Sequence, residues 1–209
     1  MNFSCPNTAT FVMPERASSI PMSSSSADSI VHPLDEFYVA AGLPLPPLDQ
    51  IDGEAMPEPY KSLLVHQHDM TPTLETFHRQ SIHLQVLGRR RKGEAYFREV
   101  VLRLDETNQP VEFGAIKINL ALFPPQARDE ILHERLPLGH VLHEYKIPHS
   151  SRPRAYLRVA SDKFINDVLG MTGAHVLYGR RNTLFDPQDR PLAEIVEILP
   201  VTAPKEDDQ

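Results

Sequence analysis

Tyr96-Phe97-Arg98-Glu99-Val100-Val101-Leu102-Arg103-Leu104 decides the fold of this chain. Side chains alternate across a strand with period two, so Arg98 shares a face with Val100, Leu102 and Leu104. Working outward, Ser81 to Gly88 sets Ile82, Leu84 and Val86 against Ser81, His83 and Gln85, a basic Gly-containing turn leads from there to Tyr96, and Asp105 to Pro110 has the composition of a hairpin connection into Val111 to Leu120. Three antiparallel strands in a meander are expected.

The flanks complete the outline. Pro57 to about His66 has helical spacing of Tyr60, Leu63 and Leu64, and Thr71-Pro72 reads as an N-cap and N1 pair opening a helix to His78. After the meander, Pro124-Pro125-Gln126-Ala127 opens a helix and Pro137 to Leu142 gives a second short helical turn. Strand patterning resumes at Arg154 to Val159, His175 to Leu184 and Leu192 to Leu199, the last two joined by the turn Asp186 to Pro191. Five or six strands with a central helical insertion predict an α+β domain. The expected boundaries are a Ser- and Pro-rich leader over 1–30, a Pro-rich strap over 31–56 with a short helix at Leu34 to Ala41, the domain over 57–200 and a charged tail over 201–209. The strap's leucines predict burial.

Composition limits the function classes. A chain of 209 residues with 41% hydrophobic and 23% charged residues supports one domain with a core. A formal charge of -7 argues against a nucleic-acid partner, since phosphate binding wants a net basic face. Cys5 is the single cysteine, which excludes an internal disulfide and a thiolate metal cluster. No run approaches a membrane span, and no signal-peptide pattern opens the chain, so a cytoplasmic protein without membrane partner is expected.

A guanidinium on an apolar face needs an anion, and Glu197, between Ile195 and Leu199 on the last strand, puts a carboxylate toward the same interior. Two explanations stand side by side: Arg98 and Glu197 pair with each other, or they form two ends of a pocket for a small acid. Ten histidines invite a metal, with His66-Gln67-His68 and the pair His140 and His143, but no His-Glu-x-x-His helix exists and no metal is expected. Nucleophile-elbow and phosphate-loop motifs are missing as well. Arginines remain as the unusual feature: Arg98, Arg154 or Arg158, and Arg180-Arg181 after Tyr178-Gly179. A bidentate guanidinium is the natural clamp for a carboxylate.

In order along about residues 57 to 200, the chain resembles the chorismate pyruvate-lyase family, whose members make 4-hydroxybenzoate and pyruvate. The resemblance lies in Asp69-Met70-Thr71, Tyr96-Phe97-Arg98-Glu99-Val100-Val101-Leu102, Pro137-Leu138-Gly139, Arg154, Tyr178-Gly179-Arg180-Arg181, and Pro191-Leu192 through Glu197-Ile198-Leu199-Pro200. It implies a single antiparallel sheet of about six strands, helices over one face, and a ligand site beneath helical flaps. Arg98 then resembles the arginine that holds the carboxylate, Glu197 the acidic residue at the ether end, Leu138 the residue whose backbone amide helps bind the carboxylate, and Met70 an apolar flap residue, with Arg154 also on the substrate. Counting back from Pro200 puts the family's glutamate on Val196; counting forward from Arg181 with a two-residue insertion puts it on Glu197, and Glu194 stands as a further candidate. Ala115 follows Gly114 where the family can have an arginine, and Lys117 shares that face.

The resemblance implies a cofactor-independent lyase that eliminates pyruvate from chorismate, with Arg98 and Glu197 as its catalytic residues. The rival is a noncatalytic domain of the same fold that binds a small aromatic or cyclohexadiene carboxylic acid, and a purely structural scaffold is the third reading.

Overall fold

The computed structural model describes residues 29–201; all but the end of the expected leader, and the tail after Val201, lie outside them. Within them the strands are β1 (Leu48–Ile51), β2 (Ile82–Lys92), β3 (Ala95–Leu104), β4 (Pro110–Asn119), β5 (Ser150–Ala160), β6 (Val176–Phe185) and β7 (Pro191–Leu199). They form one sheet in the order β1-β5-β6-β7-β4-β3-β2, every neighbouring pair antiparallel. The helices are α1 (Leu34–Ala41), α2 (Tyr60–Leu64), α3 (Met70–His78), α4 (Pro125–His133), α5 (Leu138–Glu144) and α6 (Lys163–Leu169).

The α+β class and the single antiparallel sheet agree with the sequence, and two details are corrected. The seventh strand is β1, which comes from the Pro-rich strap and pairs with β5 through Leu48 opposite Val159 and Ile51 opposite Tyr156. Residues 31–56 therefore belong to the folded unit that begins, on sequence, at 57. Helices also cover both faces of the sheet rather than one. On one face α1 and α6 pack Leu34, Phe37, Tyr38, Ile165 and Leu169 against Phe97, Val101, Phe113, Val196 and Ile198. Asp162 joins these two helices: one of its oxygens caps the α6 N-terminus at the Ile165 N–H (2.7 Å) and the other accepts from the Tyr38 hydroxyl (3.0 Å).

The opposite face carries two clusters. Leu63, Leu64, Met70 and Leu74 of α2 and α3 lie against Ile82, Leu102, Leu104 and Leu199, while Ile131, Leu138, Val141 and Leu142 of α4 and α5 lie against Tyr96, Ile116, Ile118 and Leu184. Burying an apolar side chain of this size contributes about 1.5–3 kcal/mol each, which makes these two layers the main attachment of the helices.

Local chemistry explains where the sequence reading slips. Helix α3 starts at Met70 with Asp69 as its N-cap residue, two residues before the expected N-cap Thr71 and N1 Pro72. The basic run Arg89 to Lys92, read as a turn, continues β2, because a register shift between Val86 and Gly88 brings Arg89 opposite Arg98. Its three arginines are matched by carboxylates, Arg89 with Glu134, Arg90 with Glu36 and Arg91 with Glu94. The strap leucines Leu43 and Leu45 are exposed, contrary to expectation; Pro46 is the buried residue there. Among the described residues no helix is long and apolar enough to cross a membrane.

Candidate functional site

The register turns the helix-covered floor into a grid. One row across the sheet reads Arg98, Ile116, Ile195, Asn182; the next reads Val100, Gly114, Glu197, Arg180, Tyr156; Leu102 and Glu112 sit opposite one another in the third. Strands are about 4.8 Å apart and two residues along a strand span about 6.7 Å, so the Cα atoms of Arg98 and Glu197 lie about 12 Å apart. Gly114 occupies the middle of this grid and contributes no side chain. A Cβ there would stand 2.1 Å from the Val196 carbonyl oxygen, so the strand pairing itself requires glycine.

Above Gly114 is a cavity with about 570 Å³ of empty volume, its mouth included. Arg98, Glu112, Glu197 and Asn182 supply polar groups, Val100, Leu102, Ile116 and Ile195 the apolar floor, and Met70, Leu138 and Leu142 the roof. The roof is the meeting of the starts of α3 and α5, where a Cβ on Gly139 would stand 3.1 Å from the Thr71 hydroxyl oxygen. Two contacts clamp α3 from outside: His140 Nε2 lies 3.0 Å from Glu75 Oε1, and His149 Nε2 lies 3.0 Å from Asp69 Oδ2. The Asp69 hydrogen bond raises the His149 pKa above its usual value.

Arg98 is 2% exposed, and neither its Nε nor its Nη1 has a hydrogen-bond partner among the described residues. Burial lowers its pKa to about 10, a drop that the charges of Tyr96 and Glu134 only partly offset. At neutral pH a charged guanidinium in the cavity wall therefore has two nitrogens without a hydrogen-bond partner among the described residues.

Glu197 does not pair with Arg98. Its Oε2 accepts from Arg180 Nε at 2.5 Å, both side chains being buried. Arg180 also donates through Nη1 to the carbonyls of Leu64 (3.3 Å) and His66 (3.1 Å) and through Nη2 to that of His68 (3.2 Å). The arginine thus fixes the connection between α2 and α3 to the pocket carboxylate.

Of the residues singled out on sequence, Arg98, Glu197, Met70 and Leu138 come together in the cavity lining. Arg154 does not. It sits at the irregularity between Pro153 and Ala155 where β5 slips against β6, and its exposed guanidinium lies 5.9 Å from the centre of the Phe185 ring. The competing candidates for the acidic residue also separate. Glu194 faces the α1 and α6 side, bonded to Lys117 (2.5 Å) and Arg181 (3.4 Å), and Lys117 is therefore spent on that side rather than offered to the cavity. Among the described residues no group of histidines, cysteines and carboxylates has metal-binding geometry.

Sequence reasoning missed Glu112, Asn182 and the pairing role of Arg180. Glu112 was legible: in Val111-Glu112-Phe113-Gly114-Ala115-Ile116 it alternates with Ile116 and Ile118, as Arg98 does with Val100 and Leu102.

The sequence matches no protein-family profile and no curated protein sequence. Among solved structures it is similar to the effector domain of PhnF from Mycobacterium smegmatis (12% identity, 63% of this chain and 87% of that one, TM-score 0.48). It is also similar to the ligand-binding domain of a GntR-family transcriptional regulator from Bordetella bronchiseptica (16% identity, 57% and 86%, TM-score 0.42). A third is the C-terminal domain of the histidine utilization repressor from Pseudomonas syringae pv. tomato (10% identity, 61% and 97%, TM-score 0.41).

Proposed function

We propose that this chain is a binding domain for a small carboxylic acid of aromatic or cyclohexadiene type, whose carboxylate sits on Arg98 and whose ring lies over Gly114 beneath the roof of α3 and α5. The observation that carries it is the Arg98 guanidinium, buried at the cavity wall with Nε and Nη1 unpartnered. Buried arginines are otherwise paired, because an uncompensated charge in a dry site costs several kcal/mol, and a carboxylate is the bidentate match. The apolar floor suits the rest of such a ligand. Titration calorimetry with benzoate and 4-hydroxybenzoate tests this: binding by the wild type and its loss in Arg98→Met is the expected result, and equal binding by both proteins defeats it.

A lyase reading is the second, favoured by the position of Glu112 and Glu197 on the floor away from Arg98. Elimination from chorismate breaks the ring C–O bond of the ether, and the proton lost from the ring carbon that bears the hydroxyl is replaced by one gained at the methylene carbon of the departing enolpyruvate, giving pyruvate with 4-hydroxybenzoate; aromatisation drives it, so the protein needs only to orient the ring and relay that proton. Binding ranks first because the Glu197 carboxylate is already engaged by the Arg180 guanidinium. Pyruvate release from chorismate that falls at least a hundredfold in Glu197→Gln would reverse the order.

A further inference from the structure

Glu112 is a third carboxyl in a site whose other charges are accounted for. On the floor, Arg180 neutralises Glu197, and the ligand carboxylate proposed above neutralises Arg98. Glu112 is 5% exposed, lines the cavity, and its Oε2 has no hydrogen-bond partner among the described residues. It sits diagonally from Glu197 across the β4–β7 pair, where side chains are within reach of one another. Groups facing this space are Glu197 from β7, Arg180 from β6, Arg98 from β3 and Asp69 from the start of α3. Burial first, then the Glu197 charge, raise the Glu112 pKa well above the carboxylate range, and Arg180 opposes them. Burial and the neighbouring Glu197 carboxylate both favour the protonated form, in which the carboxyl is an O–H donor. A leucine would fill the position with no polar atom to satisfy, so an unpartnered carboxyl oxygen on a residue that lines the cavity points to a polar group of a ligand.

We propose that Glu112 selects the ligand at the end away from Arg98, donating a hydrogen bond from its carboxyl to a second oxygen of the bound acid. The ligand class narrows to ring acids carrying a hydroxyl, ether or carbonyl oxygen remote from the carboxylate. This rests on the acid-binding reading.

The test isolates one acceptor atom. The 3- and 4-isomers of methoxybenzoate are titrated beside the matching ethylbenzoates, in which a CH2 replaces the oxygen, with benzoate as reference, into wild type, Glu112→Leu and Glu112→Gln. In the wild type at least one methoxy isomer binds about five- to tenfold tighter than its ethyl partner, the worth of one buried hydrogen bond. That preference, taken as a ratio within each variant, collapses below twofold in Glu112→Leu, and Glu112→Gln, which keeps a donor, retains part of it. Equal affinity of both partners for the wild type, or a preference unchanged in Glu112→Leu, overturns the proposal. Failure of every acid, benzoate included, to bind the wild type takes down the acid-binding reading and this one with it. Binding of benzoate that depends on Arg98 but ignores the oxygen takes down this one alone. A ligand-free check needs only the conservative variant: at pH 7 the infrared difference between wild type and Glu112→Gln contains the carbonyl stretch of a neutral carboxylic acid, and a carboxylate band in its place refutes the donor.

Discussion

Replacing Arg98 by methionine should make the empty protein more stable while abolishing its affinity for acids. The guanidinium is charged at pH 7, and burial lowers its pKa from 12.5 to about 10. At 1.36 kcal/mol per pH unit this corresponds to roughly 3 kcal/mol of penalty carried by the charged form in the folded state. Methionine removes that penalty and keeps most of the stem that packs between Tyr96 and Val100 on the cavity face. Lost contacts at the vacated guanidinium position offset part of the gain, so a net stabilisation of about 1–3 kcal/mol is expected, within the range seen when buried charges give way to apolar side chains. For a chain of this length that is a rise in Tm of roughly 2–12 °C. Urea unfolding at pH 7 without ligand measures the gain, and calorimetry in excess 4-hydroxybenzoate should raise the Tm of the wild type only, since stabilisation by mass action requires binding to the folded state. A variant that loses 3 kcal/mol or more would mean that Arg98 is a structural ion-pair partner, and the reasoning from its free N–H groups would fail.

Other perturbations have equally definite signs. Glu99, on the opposite face of β3, has its pKa pushed up to about 7 by burial; with a folded value above the unfolded one near 4.3, stability is fully present below that pH, declines as pH rises toward 7 and is level above it. Glu99→Gln should therefore match the wild type at pH 4 and exceed it by about 1–3 kcal/mol at pH 8 in urea titrations; a difference independent of pH would contradict the assignment. Gly114→Ala places a Cβ against backbone, the Val196 carbonyl at 2.1 Å, and should cost about 3 kcal/mol or more through separation of β4 from β7; a mild effect in thermal unfolding would mean that the register at this position is wrong. The His149 pKa is raised chiefly by its hydrogen bond to Asp69, so this tie on α3 is strongest below the ordinary histidine value and is lost as pH rises through the folded one. An NMR titration of the His149 ring should show the raised value in the wild type and a lower one in Asp69→Asn, and no difference between the two would remove the tie.

Most of the sheet was legible because its strands are runs of apolar residues bounded by turns. β3, β4 and β7 are buried on both faces, yet counting in twos from neighbouring apolar residues still fixed which side of the sheet Arg98 and Glu197 occupy. Where the period fails, so did the reading. Strand β1 is four residues, Leu48-Asp49-Gln50-Ile51, at an edge and next to prolines, with too few alternations to register. The β2 extension was hidden by the slip at Leu87, which moves four basic residues into the ladder from what composition marks as a turn. Within the site, the strands carrying Arg98 and Glu197 could be read, but which cation meets Glu197 depends on the order β6-β7-β4-β3, and strand order is a long-range property that no local pattern contains. The roof over the cavity, formed by the first turns of α3 and α5, was foreseen through the family resemblance rather than from spacing.

The placement of β1 has a consequence for how the chain reaches this structure. Residues 48–51 are hydrogen-bonded to residues 156–159, more than a hundred positions later, while β2-β3-β4 and β6-β7 close as hairpins or near neighbours. Closing so long a loop early is entropically unfavourable, so the meander and the β6–β7 hairpin should form first and β1 should dock last. During synthesis the α1 and β1 segments emerge before either has its partner, and Tyr38, which bonds Asp162 and packs its ring on Phe164, lacks these contacts until α6 has left the ribosome. The first of the described segments to be made are thus among the last to become native, and the apolar side chains of α1 wait longest for their full cover.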